Sequence, residues 1–201
     1  MKVFFDLETS SKYPTTAETI EIGAVTENGD EFNRYINPVG RIDPDATRYH
    51  DIGQRDGRLT FKGEIIQSGV GTPEKTLKAF INFLRDANDG APVTLVAYNG
   101  NRFDFKILRN NLMRFDVDDG GVIGSLQDAM VLAKACPDFK DIKPKTQVNL
   151  LNHFTGQTPR PSPGKPNKGI NDAKDLKDLY AGIEGKIDRG NAFVQKSISK
   201  F

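Results

Sequence analysis

Carboxylates are the residues whose type and spacing suggest chemistry. Asp6 and Glu8 stand two apart in the run Lys2-Val3-Phe4-Phe5-Asp6-Leu7-Glu8-Thr9. Side chains alternate along a strand, so both acids point to one face while Phe5 and Leu7 point to the other, into a core. Two neighbouring carboxylates repel unless a cation sits between them, and with oxygen ligands that cation is Mg²⁺ or Mn²⁺. A solvated acidic face on an edge strand accounts for the same two residues. A second group follows the apolar run Val93–Ala97, where Tyr98-Asn99-Gly100-Asn101-Arg102-Phe103-Asp104 turns out of a strand and into a helix. Asp104 is either a first-turn acid favoured by the helix dipole or a third ligand at the mouth of the sheet, where ligands gather. The third group is Asn171-Asp172-Ala173-Lys174-Asp175-Leu176-Lys177-Asp178-Leu179-Tyr180, which taken alone is an ordinary amphipathic helix.

The elements that must hold these residues are legible from pattern. Residues 2–7 read as a buried strand and 19–27 as an alternating one. Asn28-Gly29 is the strongest short hairpin signal, and 31–37 is the return strand. Residues 39–71 have weak periodicity and read as loop with short helical pieces. Thr72 caps a helix with Pro73 in its first turn, and Leu77, Phe80, Ile81 and Leu84 line its inner face. Residues 93–98 form an apolar strand, and 103–115 a helix with Phe103, Ile107, Leu108 and Leu112 inward. A short strand at 122–126, a short helix at 127–135 and a helix at 146–154 follow. The stretch 158–166 holds four prolines and reads as a loop. Residues 171–183 form a helix with Ala173, Leu176, Leu179 and Tyr180 inward. The expectation is one α/β domain over 1–183 with a helix or tail over 184–201.

Composition sets the outer limits. The chain has 201 residues, 37% hydrophobic and 27% charged, with 28 Lys plus Arg against 27 Asp plus Glu. That is one ordinary domain, too apolar for a disordered chain. The net charge of +1 gives no global attraction to nucleic acid, so any such contact needs local patches. One cysteine, Cys136, excludes a disulfide framework and a cysteine-built zinc site, and two histidines leave little room for a histidine-built one. No apolar run approaches membrane-spanning length, and the N-terminal run meets Asp6 too early for a signal peptide. The expectation is a soluble intracellular protein with no membrane partner, of undetermined oligomeric state.

Taken together, the three groups resemble a known family. Phe5-Asp6-Leu7-Glu8-Thr9, the run from Val96 to Leu108, and the run from Asp172 to Tyr180 look like the three motifs of the DnaQ-like, DEDD-type 3′–5′ exonucleases. The second motif is closest to that of the three-prime repair exonucleases of animals. Thr19–Val25 is similar to the family's second strand, and Asn37-Pro38, Ala46-Thr47 and His50 to the stretch after it, although Asp51 replaces a usual glycine. Leu150–Phe154 is similar to the helix before the third motif.

The resemblance implies an RNase H-like fold, a mixed five-stranded sheet flanked by helices. It implies two Mg²⁺ or Mn²⁺ ions held by Asp6, Glu8, Asp104 and Asp172. It also implies hydrolysis from the 3′ end of nucleic acid, DNA favoured, to nucleoside monophosphates. Leu7, Thr9, Tyr98 and Asn99 fall where the terminal nucleotide is contacted. An exoribonuclease, a polymerase proofreading unit and a non-cutting 3′-end binding module remain alternatives. The departure lies at the general base. Family members carry histidine five residues before the last aspartate, or tyrosine four before it; here these are Asn167 and Lys168. An amide has no useful proton affinity, and an unperturbed lysine is protonated. A natural variant, a substituted residue and a non-cutting domain all fit Asn167. His153 is a weaker replacement base. Arg102, Lys106, Arg109, Arg114, Lys165, Lys168, Lys174 and Lys177 are candidate phosphate contacts or solvated helix surface.

Overall fold

The computed structural model describes residues 1–161, 168–187 and 198–201. The chain opens with three antiparallel strands, β1 (Lys2–Thr9), β2 (Thr19–Thr26) and β3 (Glu31–Ile36), as the alternating pattern and the Asn-Gly turn predict. Then come α1 (Pro44–His50), β4 (Ile52–Arg55), β5 (Arg58–Phe61), β6 (Glu64–Ile65) and β7 (Val70–Gly71). This corrects the expectation of loop with helical pieces over 39–71. The helix exists, but β4, β5 and β6 form a separate antiparallel sheet. Its strands of two to four residues are too short to show a period. The missed signal is Asp56-Gly57, both at positive φ, the turn chemistry that favours a two-residue hairpin.

The second half alternates. It comprises α2 (Pro73–Ala87), β8 (Val93–Ala97), α3 (Asp104–Arg114), β9 (Ile123–Asp128), α4 (Ala129–Ala133), α5 (Gln147–Thr155), α6 (Lys168–Glu184) and β10 (Ile198–Ser199). Thr72 caps α2 by accepting from the Lys75 N–H, and Thr146 caps α5 by accepting from Asn149. The main sheet runs β10-β9-β8-β1-β2-β3-β7. Its central five strands are the expected mixed sheet: β1 is antiparallel to β2 and parallel to β8, and β8 is parallel to β9. The two-residue strands β7 and β10 extend its edges. Ile198–Ser199 is thus a strand on β9, while 188–197 lie outside the described residues.

Both faces of β1 are covered. Val3, Phe5 and Leu7 pack with Leu77, Phe80, Ile81 and Leu84 of α2 and with Ile107, Leu108 and Leu112 of α3. Phe4 packs on the opposite face with Leu176 and Tyr180 of α6 and Leu151 of α5, its ring 5.3 Å from that of Tyr180. Phe103 is not in the core as its spacing suggests. It precedes α3 as the cap residue and is exposed, and Phe105 takes the buried place. Two glycines decide how closely α6 approaches the sheet. A Cβ on Gly23 would lie 2.1 Å from the carbonyl carbon of Gly169, so only glycine lets β2 and the first turn of α6 touch backbone to backbone. Gly23 is the cross-strand partner of Asp6, which brings the start of α6 over the acidic face of β1.

Candidate metal centre

Asp6 and Glu8 share the α6 face of β1, as strand alternation requires. Asp172 comes from the second turn of α6. One ligand oxygen from each of Asp6, Glu8 and Asp172 lies within 4.8 Å of the others. Asp104 stands outside that trio at the start of α3, 8% exposed, with Oδ1 accepting the Leu7 N–H at 3.3 Å. It thereby touches β1 midway between Asp6 and Glu8, and its charge is felt at Asp6. Carboxylates from two distant segments thus cluster on one face of β1, and Asp104 contacts the backbone of the same strand.

The electrostatics are those of a site short of positive charge. Burial, then Asp172, Glu8 and Asp104, push the Asp6 carboxyl well above its usual range. Burial raises Glu8 as well, opposed chiefly by Lys168. Asp104 is raised by burial, with its backbone hydrogen bonds opposing. Lys168 answers this deficit. Its Nζ lies 2.8 Å from Glu8 Oε1 and 2.7 Å from Asp172 Oδ2. Burial works against the charged ammonium, but Glu8, Asp6 and Asp172 together outweigh it and raise Lys168 above its ordinary value. An all-oxygen donor set already bridged by a cation fits a hard divalent ion.

Asp175, the alternative frame for the third motif, is 2% exposed and bound by Arg160, which also reaches Asp178. It ties the segment after α5 to α6. Tyr98 and Asp172 border a cleft of about 180 Å³ with Asp6, Gln147 and Leu151, and the Tyr98 hydroxyl donates to the Lys145 carbonyl at 2.7 Å. Thr9 is tied into the backbone: its hydroxyl donates to the Ser11 carbonyl, and its own carbonyl faces His50 Nε2 at 3.1 Å. His50 Nδ1 accepts from the Ile52 N–H, so the ring is a neutral brace with its protonation disfavoured by burial.

Other candidates are used elsewhere. His153 pairs with Asp138 on the surface at 2.6 Å. Lys174 pairs with Glu31, Lys177 donates to the Thr26 and Glu27 carbonyls, and Arg114 pairs with Glu18. Asn167 and Lys165 lie outside the described residues. A groove of about 1080 Å³ between α1 and β4–β5 holds none of the four carboxylates.

Two further acidic residues shape the site without belonging to any of the three motifs. Asp128, 1% exposed, accepts from the Asn99 and Asn101 N–H groups and caps α4, so it shapes the turn that delivers Asp104. Asn99 itself adopts a left-handed φ of 56°, which asparagine tolerates. The sequence signal for Asp128 is an acid between a strand and a helix, a cap position. Glu21, fully buried, pairs in register with Glu8. Strand alternation puts it on the face opposite Ile20, Ile22 and Ala24, with no signal that this face is buried too.

The fold is similar to that of part of exonuclease I. The chain superposes on apo exonuclease I with a TM-score of 0.65 at 16% identity, over 92% of this chain and 42% of that one. It superposes on a zinc-bound complex of the Escherichia coli enzyme with single-stranded DNA with a TM-score of 0.66 at 17% identity, over 97% and 42%. In sequence it is similar to the PolC-type DNA polymerase III of Ureaplasma parvum, 26% identical over 143 residues, 69% of this chain and 9% of that protein. No family model matches the chain. It spans less than half of the exonuclease I chains and about a tenth of the polymerase. Among the described residues, no helix is long and apolar enough to cross a membrane.

Proposed function

We propose that the chain is a metal-dependent 3′–5′ exonuclease that hydrolyses single-stranded DNA from its 3′ end, releasing nucleoside monophosphates. The observation that carries this is the meeting of Asp6, Glu8 and Asp172 within 4.8 Å, with Asp104 against the same strand. The likeness to exonuclease I, solved with single-stranded DNA, supports the substrate class. Asp6, Glu8, Asp104 and Asp172 would hold two ions, Mg²⁺ or Mn²⁺. When bound, the ions would screen the phosphate and ease charge on the attacking and leaving oxygens. Tyr98 borders the cleft with Asp6 and Asp172, Leu7 touches Asp104, and together with Thr9 and Asn99 they would receive the terminal nucleotide. Tyr98 is held in place by its bond to Lys145.

The test is degradation of a 5′-labelled single strand. A 3′-shortening ladder in Mg²⁺ that stops with chelator, and is abolished in Asp172→Asn, is expected. Chelator-resistant cutting, or cutting of closed circular DNA, would overturn the reading. Activity near neutral pH should be weak, because Asn167 takes up no proton. Asn167→His should then speed turnover by about 10²–10⁴, the usual worth of a positioned base. Equal rates would place the base elsewhere. Tight binding of 3′ ends without any cutting in either chain would instead favour a binding module. The similarity to a PolC-type polymerase favours a second reading, a proofreading unit. A marked preference for a mismatched primer end over a free single strand would select it.

A further inference from the structure

The first turn of α6 places a charge that metal binding must contend with. Lys168 and Asp172 are four residues apart on one helix, which explains their ion pair. It does not explain the second contact, from the same Nζ to Glu8 across 160 residues of sequence. That contact exists because Gly23 and Gly169 let the backbone of α6 rest directly on β2, fixing the lysine's origin over the acidic face. The side chain of Glu8 is 9% exposed and that of Lys168 is 43% exposed, so the ammonium enters the cluster from the solvent side and has a way out.

We propose that Lys168 is a tethered competitor for metal. Its ammonium occupies the cation position between Glu8 and Asp172, and a divalent ion bridging those two carboxylates binds only by expelling it. The inference rests on the reading of the cluster as a divalent-cation site. An ammonium bonds its oxygens at 2.8 and 2.7 Å here, whereas Mg²⁺ requires about 2.0–2.1 Å, so the two cations cannot share the same wedge. The ammonium is a single charge with three donors, and a divalent ion brings twice that charge. Against that advantage stands the tether, which keeps the ammonium at a high local concentration, so the exchange needs plentiful metal. Without metal, Lys168 keeps the carboxylates from repelling one another, so the apo fold survives. With metal, the released head group stays within one helical turn of Asp172.

The experiment is Mn²⁺ titration by calorimetry of the whole chain, for the natural sequence, Lys168→Met and Lys168→Arg, with folding checked by circular dichroism. Lys168→Met should bind Mn²⁺ at least about tenfold more tightly, because a point charge a few ångströms away is removed. Lys168→Arg should keep the weaker affinity. Melting gives a second readout: in chelator, Lys168→Met should melt below the natural chain, and saturating Mn²⁺ should close or reverse the gap. Lys168→Gln repeats both measurements should the methionine variant misfold. Equal or weaker Mn²⁺ affinity in folded Lys168→Met or Lys168→Gln would overturn the role of Lys168 and leave the metal site standing. No Mn²⁺ binding by any of the chains would overturn both.

Discussion

Glu21 lies beneath the cluster with no exposure to solvent, opposite Glu8 in the ladder and against the backbone of Gly169. Burial, reinforced by Glu8, pushes its carboxyl from 4.5 up to about 8. The folded chain therefore holds a proton there that the unfolded chain has released. Stability contributed by this group is present below pH 4.5, falls as the pH rises from 4.5 to 8, and stays low above that. Asp6, Glu8 and Asp104 are raised too and act in the same direction. Without metal, the natural chain should melt lower at pH 8.5 than at pH 5. Glu21→Gln, which is neutral throughout, should melt higher than the natural chain at pH 8.5 by on the order of 5 °C and match it near pH 5. Thermal melts in chelator across that range are the check, and parallel profiles for the two chains would refute the assignment.

The relation of α6 to the sheet brings the third motif to the first. Gly23→Ala would put a methyl 2.1 Å from the Gly169 carbonyl carbon, a backbone atom that cannot swing aside. Overpacking of this kind costs about 1–3 kcal/mol. Because α6 must lift or slide, Mn²⁺ affinity should fall together with stability. A lower melting temperature with unchanged Mn²⁺ affinity would show that α6 is placed by its apolar face alone, through Leu176, Leu179 and Ile183. The same close approach explains a limit of pattern reading. Helical spacing marks Ala173, Leu176, Leu179 and Tyr180 as inward, and all four are buried. It says nothing of the distance of approach, which is set by two glycines about 150 residues apart.

For the molecule as a whole, a net charge of +1 leaves little long-range field to gather a polyanion. Affinity for a strand must then come from local cations. Lys174, Lys177 and Arg114 are taken up by carboxylates and carbonyls of their own fold. Arg102, Lys106 and Arg109 remain exposed on and beside α3, flanking Asp104. Replacing all three with alanine should weaken binding of a single-stranded oligonucleotide similarly across sequences. It should also reduce the slope of log affinity against log salt by about 0.7 for each phosphate that is no longer neutralised. Fluorescence anisotropy over a salt series measures this; an unchanged slope would move the strand's path to another face, such as the groove lined by Arg41 and Arg55.

The grouping of Asp6, Glu8, Asp104 and Asp172 as one candidate site comes from the motif resemblance, whereas the sequence pattern by itself determines the strand, turn and helix on which each stands. Those assignments rest on local physics: two-residue alternation along β1, the Asn-Gly exit from β8 and the helical spacing of α6. The β4–β6 sheet is not legible as a sheet, because strands of two to four residues carry no readable period and only its Asp-Gly turn marks it. The surroundings of Lys168 and Glu21 are unreadable for a different reason. Each owes its environment to a partner roughly 13 to 160 residues away in the chain, Glu8 in both cases. Charge in a low-dielectric interior depends on distance through space, which tertiary packing alone determines.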